Sequence, residues 1–447
     1  MRDYYILFIY MSFIIFGLSA PFVAMIGYMW ADIYSPQSTS TFVAAIPSSL
    51  ILAVVAVGAY IMLDRRSPAR FTLHTGLTLL LAFWVTLTLT WAEAPIPAWT
   101  KWDWAVKTVV FSAFIPLVIR SRVQIEAFLQ VFLFAMAFQF MPPGVKTMIS
   151  GSSYGRDLGV LGGNTGLAES STLATACIAL IPLILYLRRH SILLPKSRWR
   201  DVGYLGLILI AVICAIGTYA RTAIIGFAVV GIFMWFQSKR KGWFTVVAAI
   251  GIIGVGAMAS SSWQERIASS ADFQQESSAL GRILVWRWTI GYVMEHPAGG
   301  GFDAFRINRI EFPPSTAGGA PVVSFGKAYH NSYFEMLGEH GFPGLLIWLS
   351  ILTISMKAVW TVSKRTRGDP EMAWIRDLSQ ALLTSLVTTM ACSFFIGIAF
   401  QAFYWYFIAL PICVREYLVR VDLPAETRTR RGGLPGYATA GPAPRPR

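Results

Sequence analysis

The sequence predicts an all-α polytopic membrane protein with about 12 transmembrane helices and one large, partly helical loop on the outer side. Three observations predict it. Of the 447 residues, 55% are hydrophobic and 13% are charged, with a mean hydropathy of +0.57. The apolar residues come in blocks near the ~20 residues that a helix needs to cross ~30 Å of hydrocarbon. Lys and Arg cluster in alternate connections, which orients the chain.

Spans are expected at 4–33, 42–62, 72–91, 103–119, 124–141, 168–187, 203–219, 221–237, 244–259, 343–360, 378–398 and 400–418. The first is overlong and holds Pro21, which can kink, tilt or split it. The basic stretches "DRRSPAR" (64–70), "RSR" (120–122), "RRHSILLPKSRWR" (188–200), "SKRKG" (238–242) and "SKRTRGDPEMAWIR" (363–376) mark the cytoplasmic side. Both termini then fall in the cytoplasm. The net charge of +14 reflects this topology and needs no nucleic-acid partner. Cys177, Cys214, Cys392 and Cys413 all lie in expected spans and read as small packing residues, without disulfide or zinc spacing. Cleavage of a signal peptide at "GLSAPF" would leave eleven spans and break the charge alternation, which argues against it.

The chain divides into N-terminal transmembrane helices (1–141), central transmembrane helices (142–259), a periplasmic loop domain (260–342), C-terminal transmembrane helices (343–418) and a disordered cytoplasmic tail (419–447). The loop is too long for a simple connector. Within it, "ALGRILVWRWTIGYVMEHP" (279–297) reads as a helix whose Trp, Ile and Val face suits the membrane interface. A glycine turn follows (298–305), then an irregular Pro/Gly/Ser-rich stretch (311–327). A second short helix is expected over 329–340, and Gly341 with Pro343 separates it from the next span. The glycines at 159–166 fit an anion-binding nest and a helix-entry turn equally well.

Ionisable residues inside membrane segments are costly and point to a partner or a function. Lys107, Glu169, Arg221 and Glu335 all lie toward the outer face in this topology, as do Arg282, Arg287, Arg306, Arg309, Lys327 and His330. Together they describe a cationic recess opening outward. Singly, Lys107 and Arg221 read as well as cations that snorkel to the interface, and Arg282 as an interfacial anchor. A lone histidine at a helix end is commonly structural, and Glu169 and Glu335 balance nearby cations. His340, ten residues past His330, points about 80° away on a helix, which argues against a two-histidine metal pair. The sequence has no HExxH, Walker A, GxSxG or Asp-x-Asp motif.

Activated glycan donors on the outer side of a cytoplasmic membrane are lipid-linked diphosphates. Breaking the sugar–phosphate bond leaves a diphosphate with extra charge, which arginines stabilise without a metal. The attacking hydroxyl needs a base whose pKa lies near working pH, and histidine suits. By contrast, a transporter of lipid-linked glycans predicts polar groups near the midplane and internal symmetry; here the charges collect at one face.

"HNSYFEMLGEHGF" (330–342) fits the pattern His, then Asn, nine residues, then Gly and an apolar residue. In this it resembles the bacterial O-antigen ligase family. "ARTA" (220–223) and "LGRILVWRWTI" followed by "HPAGGGF" resemble further elements of that family, so the likeness covers roughly 203–360. "PFVAMIGYMWADIYSPQ" (21–37) resembles exosortase-associated O-glycosylation ligases. "GGNTGLAESS" (162–171) lacks the Asn/Asp-rich run of related sequences, and no role is assigned there.

The resemblance implies a GT-C-like, inverting, metal-independent glycosyltransferase without a cofactor in a bacterial inner membrane, its active site facing the periplasm. It implies His330 as general base and Arg221 and Arg282 as the diphosphate contacts. Lys107 and Arg287 are further candidates for charge support, and no metal ligand is assigned. The implied partners are an undecaprenyl-diphosphate-linked oligosaccharide donor, a lipid A–core acceptor and membrane lipids. The motif is shared with O-antigen polymerases and protein O-oligosaccharyltransferases, so it fixes the reaction better than the acceptor.

Overall fold

The computed structural model describes residues 1–66, 69–150, 166–238, 241–242, 245, 273–312 and 322–431, and among these are fourteen α-helices, two short 3-10 helices (Thr88–Trp91 and Ala304–Ile307) and one pair of strands. The α-helices are α1 (Arg2–Gly17), α2 (Pro21–Tyr34), α3 (Pro36–Thr39), α4 (Ser48–Leu63), α5 (Leu73–Leu87), α6 (Pro95–Val118) and α7 (Arg122–Ser150). Next come α8 (Ser170–His190), α9 (Arg198–Gly217), α10 (Arg221–Gln237) and α11 (Phe273–Glu295), then the strands β1 (Arg309–Phe312) and β2 (Val322–Phe325). The chain closes with α12 (Ser332–Arg365), α13 (Ala373–Cys392) and α14 (Ala402–Arg431).

The protein is an all-α polytopic membrane protein. Among the described residues, six helices are long and apolar enough to cross a bilayer: Leu73–Trp91, Arg122–Ile149, Ser170–His190, Arg198–Gly217, Ser332–Arg365 and Ala402–Val421. Ser48–Leu63 and Arg221–Gln237 are shorter apolar helices. The span expected at 244–259 lies outside the described residues. Helices α8 and α14 sit at the centre of the bundle, where Tyr404, Trp405, Tyr406 and Phe407 are all fully buried.

Two ends of the bundle differ in chemistry. At one end Arg66 pairs with Asp64, His190 meets Asp377 at 2.8 Å, and the Arg122 guanidinium lies 4.5 Å from the Trp374 ring. Arg420 there donates to the carbonyl of Ile119. These residues come from the stretches that the charge pattern assigns to the cytoplasm. At the other end lie the polar residues of α6, the turn at 297–301, α11 and the start of α12.

Several expectations meet a different structure. The overlong first span is a helical hairpin: a Cβ on Gly17 would lie 2.7 Å from that of Ala24, and one on Gly27 equally close to Phe13. Pro21 starts α2 at its first turn, where a missing N–H costs nothing. Asp3 therefore reaches Thr41, and Tyr4 packs edge-on against Phe42, at the end away from Arg66. With the cationic end taken as cytoplasmic, the N-terminus stands on the opposite side, against the expectation that both termini are cytoplasmic.

Helix α7 continues through Pro142 and Pro143 to Ser150, past the boundary expected at 141. Its far turns are held by α9, where Gly144 faces Ile210 and Gly217 faces Thr147. Helix α14 likewise runs on to Arg431, beyond the start of the expected disordered tail; residues 432–447 lie outside the described ones. The stretch expected to be irregular contains a hairpin in which Arg309 pairs with Phe325 and Phe312 with Val322.

Candidate functional site

Helix α12 begins as the short helix the sequence predicts. Asn331 caps it, its side chain accepting from the N–H groups of Tyr333 and Phe334. The first segment ends at Gly341, whose φ of 64° and ψ of −166° break the helix before the long apolar run. Only glycine fits there, because a Cβ would overlap the Pro297 carbonyl.

The "HPAGGGF" turn is built against that break. Phe342 N–H donates to Pro297 O, Gly300 N–H to Gly338 O, and Gly301 N–H to Glu339 O, at 2.8–3.0 Å. Trp84 donates to the His340 carbonyl and Trp91 to that of Gly299. The backbone groups released by the kink are thus satisfied by the Trp84 indole and the glycine turn, and Trp91 holds the turn itself.

His330 stands one residue before the cap, exposed, with φ at 47° in the left-handed region that L residues avoid. The neighbouring backbone holds it there. Tyr329 is buried, and its carbonyl accepts from the Trp286 indole at 2.9 Å. The same indole stacks on Phe334 at 5.2 Å. Ser332 ties the next turn to the α13–α14 connection through the Ile396 carbonyl and the Ile398 N–H, both at 2.8 Å.

Arg282 lies four residues before Trp286, on the same face of α11. Burial and the nearby Arg221 guanidinium pull its pKa down, and Glu169 offsets this. The structure therefore brings Arg221, at the start of α10, into one electrostatic neighbourhood with Arg282 and Glu169. The Glu169 carboxylate is committed to capping α8, accepting from Ser171 N–H, Thr172 N–H and the Thr172 hydroxyl, so its offset is partial. Lys327 joins the group: burial and Arg282 pull its pKa down too. Its ammonium lies 2.4 Å from where a Cβ on Gly281 would be, and 4.6 Å from the Phe312 ring. Cations held together against their mutual repulsion make a place for a multiply charged anion.

The two remaining predicted residues stand apart. Lys107 pairs with Asp103 at 2.6 Å, one turn away on α6. Arg287 faces outward on α11, about 140° around the helix from Arg282 at ~100° per residue.

The buried cation of α6 is Lys101, which the sequence reading passed over. Its ammonium bonds Glu335 Oε1 at 2.7 Å and both oxygens of Glu339 at 2.8 and 3.0 Å, with Asp303 Oδ1 at 3.7 Å. The Asp303 N–H donates to Glu339, and the Ala399 N–H to Glu335. Helix α6 starts at Pro95, eight residues before the expected span, so Lys101 is already helical and about 120° around from Lys107. One signal was available: Glu335 and Glu339 stand four apart on a predicted helix, hence on one face. Among the described residues no His, Cys, Asp or Glu group is arranged for a metal ion, and the Lys101 ammonium fills the centre of the acidic trio.

Fold and site together define a polytopic, helical membrane protein in which Arg221, Arg282 and Lys327 act on one another electrostatically and His330 holds a left-handed backbone at the entry to α12. Residues 205–349, which carry Arg221, Arg282 and His330, match the family model described as O-antigen ligase, and this domain match supports membership of that family. Residues 1–192 match a family of unknown function, DUF5935. No curated protein matches the chain. The match supports, in general terms, a membrane glycosyltransferase of the O-antigen ligase/polymerase type.

Proposed function

We propose that the protein is an O-antigen ligase, moving a glycan from undecaprenyl diphosphate to a hydroxyl of lipid A–core on the periplasmic face of the inner membrane. The observation that carries this reading is the 2.9 Å bond from Trp286, one turn beyond Arg282 on α11, to the carbonyl of Tyr329, which sets the helix of Arg282 against the residue before His330, with the Arg221 guanidinium acting on Arg282. The acceptor oxygen attacks the anomeric carbon as the carbon–oxygen bond to the diphosphate breaks, inverting that centre. His330 takes the hydroxyl proton. Arg221 and Arg282 take up the charge on the departing diphosphate, a role that planar, multi-donor guanidinium groups fill without a metal. On this reading the cationic end of the bundle and the C-terminus are cytoplasmic.

Transfer by purified protein from undecaprenyl-diphosphate oligosaccharide to lipid A–core, in EDTA, tests it. Wild type should shift the lipopolysaccharide ladder and His330→Ala should not. Longer lipid-linked chains with no shifted lipopolysaccharide would make the protein a polymerase and overturn the ligase assignment.

A further inference from the structure

The face of α11 turned away from His330 carries a groove that the proposed chemistry does not use. Leu284, Arg287, Trp288, Gly291, Tyr292 and Glu295 recur at helical spacing along one stripe, and Arg309, Ile310 and Glu311 of β1 form the opposite wall. The cavity between them is open and measures about 540 Å³.

The Trp288 ring stacks on Tyr292 at 5.0 Å and 14°, and Tyr292 stacks on His296 at 4.5 Å and 14°. Tyr292 is fixed from its far end, its hydroxyl donating to Glu93 at 2.9 Å. A rigid aromatic wall of this kind loses little entropy when a ligand lies against it. Around it stand Arg287 and Glu295 on the helix, and Arg309 and Glu311, paired with each other at 3.0 Å, on the strand. Gly291 forms the floor, and a Cβ there would meet nothing within 4 Å.

Aromatic surface beside forked donors and carboxylate acceptors of both signs suits a neutral, hydroxyl-rich ligand with apolar ring faces. Such groups match neither a bare phosphate, which would avoid the two glutamates, nor an acyl chain, which would leave four charges unsolvated. The groove also runs in a useful direction. Trp288 and Tyr292 lie about 9 and 15 Å beyond Arg282 along the helix axis at ~1.5 Å per residue, and about 120° and 80° around it at ~100° per residue, so a glycan whose diphosphate sits at Arg282 reaches this wall by crossing the edge of α11.

We infer that the groove between α11 and β1 is a saccharide-binding subsite, lined by Trp288, Arg287, Glu295, Arg309 and Glu311 over Gly291. It rests on the proposed transfer reaction for its purpose but is tested without it. Arg287 then contacts sugar hydroxyls, and the diphosphate is left to Arg221 and Arg282.

The test is binding of two fluorescently labelled, phosphate-free probes to full-length protein in nanodiscs: the oligosaccharide released from the lipid-linked donor, and core oligosaccharide freed of lipid A. Wild type should bind one of them, and the one bound identifies which substrate the groove serves. Gly291→Leu fills the floor at a helix position with open space around it, so the fold survives. It should weaken that binding at least about tenfold, as should Glu311→Gln, the scale of losing one charged hydrogen bond. Arg282→Lys should leave it unchanged. Binding that Gly291→Leu does not alter, or no binding of either probe, overturns the subsite. Gly291-sensitive binding by a protein that transfers nothing would retain the subsite and remove the ligase reading.

Discussion

Trp286 donates its indole N–H to the carbonyl oxygen of Tyr329 at 2.9 Å, and this bond links the helix that carries Arg282 to the residue before His330. Its stack on Phe334 fixes the same indole against α12. Trp286→Phe keeps a ring for the stack and removes the bond, a loss of roughly 1 kcal/mol. Protein level and membrane insertion should stay normal. Steady-state kinetics should show a lower kcat, with the donor KM changing less, because the base and the diphosphate site lose their alignment. A pure rise in donor KM would contradict the linkage.

His330 combines a chemical and a conformational demand. His330→Ala and His330→Gly should both abolish transfer. The glycine variant should be the more stable of the two, by about 1 kcal/mol, because glycine carries no penalty at φ 47°. Thermal unfolding in detergent compares them. Equal stability would mean that the left-handed backbone is not imposed at this residue.

Arg282→Lys should lose most activity, since a point ammonium does not reproduce the planar fork. Full activity would remove Arg282 from the diphosphate contact.

Lys327 supplies a pH dependence. Burial and Arg282 lower its folded pKa below the ordinary lysine value. A lysine depressed in this way destabilises the fold while it is charged in both states, and that cost shrinks as pH rises from the lowered folded pKa to the ordinary lysine value, above which it is gone. Donor affinity should move the other way, falling over the same rise as the charge is lost. Lys327→Arg should hold the affinity to higher pH. Gly281→Ala offers an independent check, since its Cβ would meet the far end of Lys327 at 2.4 and 2.6 Å and the tip of the Phe312 ring at 3.2 Å: donor affinity should fall, with little change in unfolding temperature. A donor titration flat across alkaline pH in wild type would exclude Lys327 from the anion site.

Lys101 is a different kind of residue. Its ammonium is held among Glu335, Glu339 and Asp303, and the Glu339 side chain has no exposed surface. Lys101→Met leaves buried carboxylates without their cation and should destabilise the protein by about 3–5 kcal/mol, seen as a lower unfolding temperature and poor recovery. Adding Glu339→Gln should recover part of it. Lys107→Met breaks a half-exposed pair with Asp103 and should cost less than about 1 kcal/mol.

Sidedness is checked by thiol labelling, since the four native cysteines are buried. Cysteines placed at Ser315 and at Arg2 should both react with an impermeant reagent from outside spheroplasts, and one at Glu371 should not. Labelling at Glu371 with protection at Arg2 would reverse the assigned orientation.

Much of this was readable in the linear chain because it depends on local chemistry. Blocks of apolar residues marked most of the helices that are long and apolar enough to cross a membrane, and the basic clusters marked the residues that gather at one end of the bundle, though neither foresaw on which side the α1–α2 hairpin leaves the N-terminus. Pro297, Gly341 and Pro343 fix where the loop helices stop, since those breaks follow from backbone sterics. The spacing around His330 was enough to identify the family. What the sequence left open depends on which face of each helix meets which neighbour. Lys101 and Lys107 stand in one helix with similar surroundings in sequence, and only packing against α12 puts the first among carboxylates and the second at the half-exposed edge. Arg282 and Arg287 divide in the same way, about 140° apart on α11. The α1–α2 hairpin required Gly17 and Gly27 to meet residues that precede and follow a turn, and the β1–β2 pairing joins segments with nine residues between them. A side chain's role at such sites is set by contacts distant in sequence, and those exist only once the helices have packed.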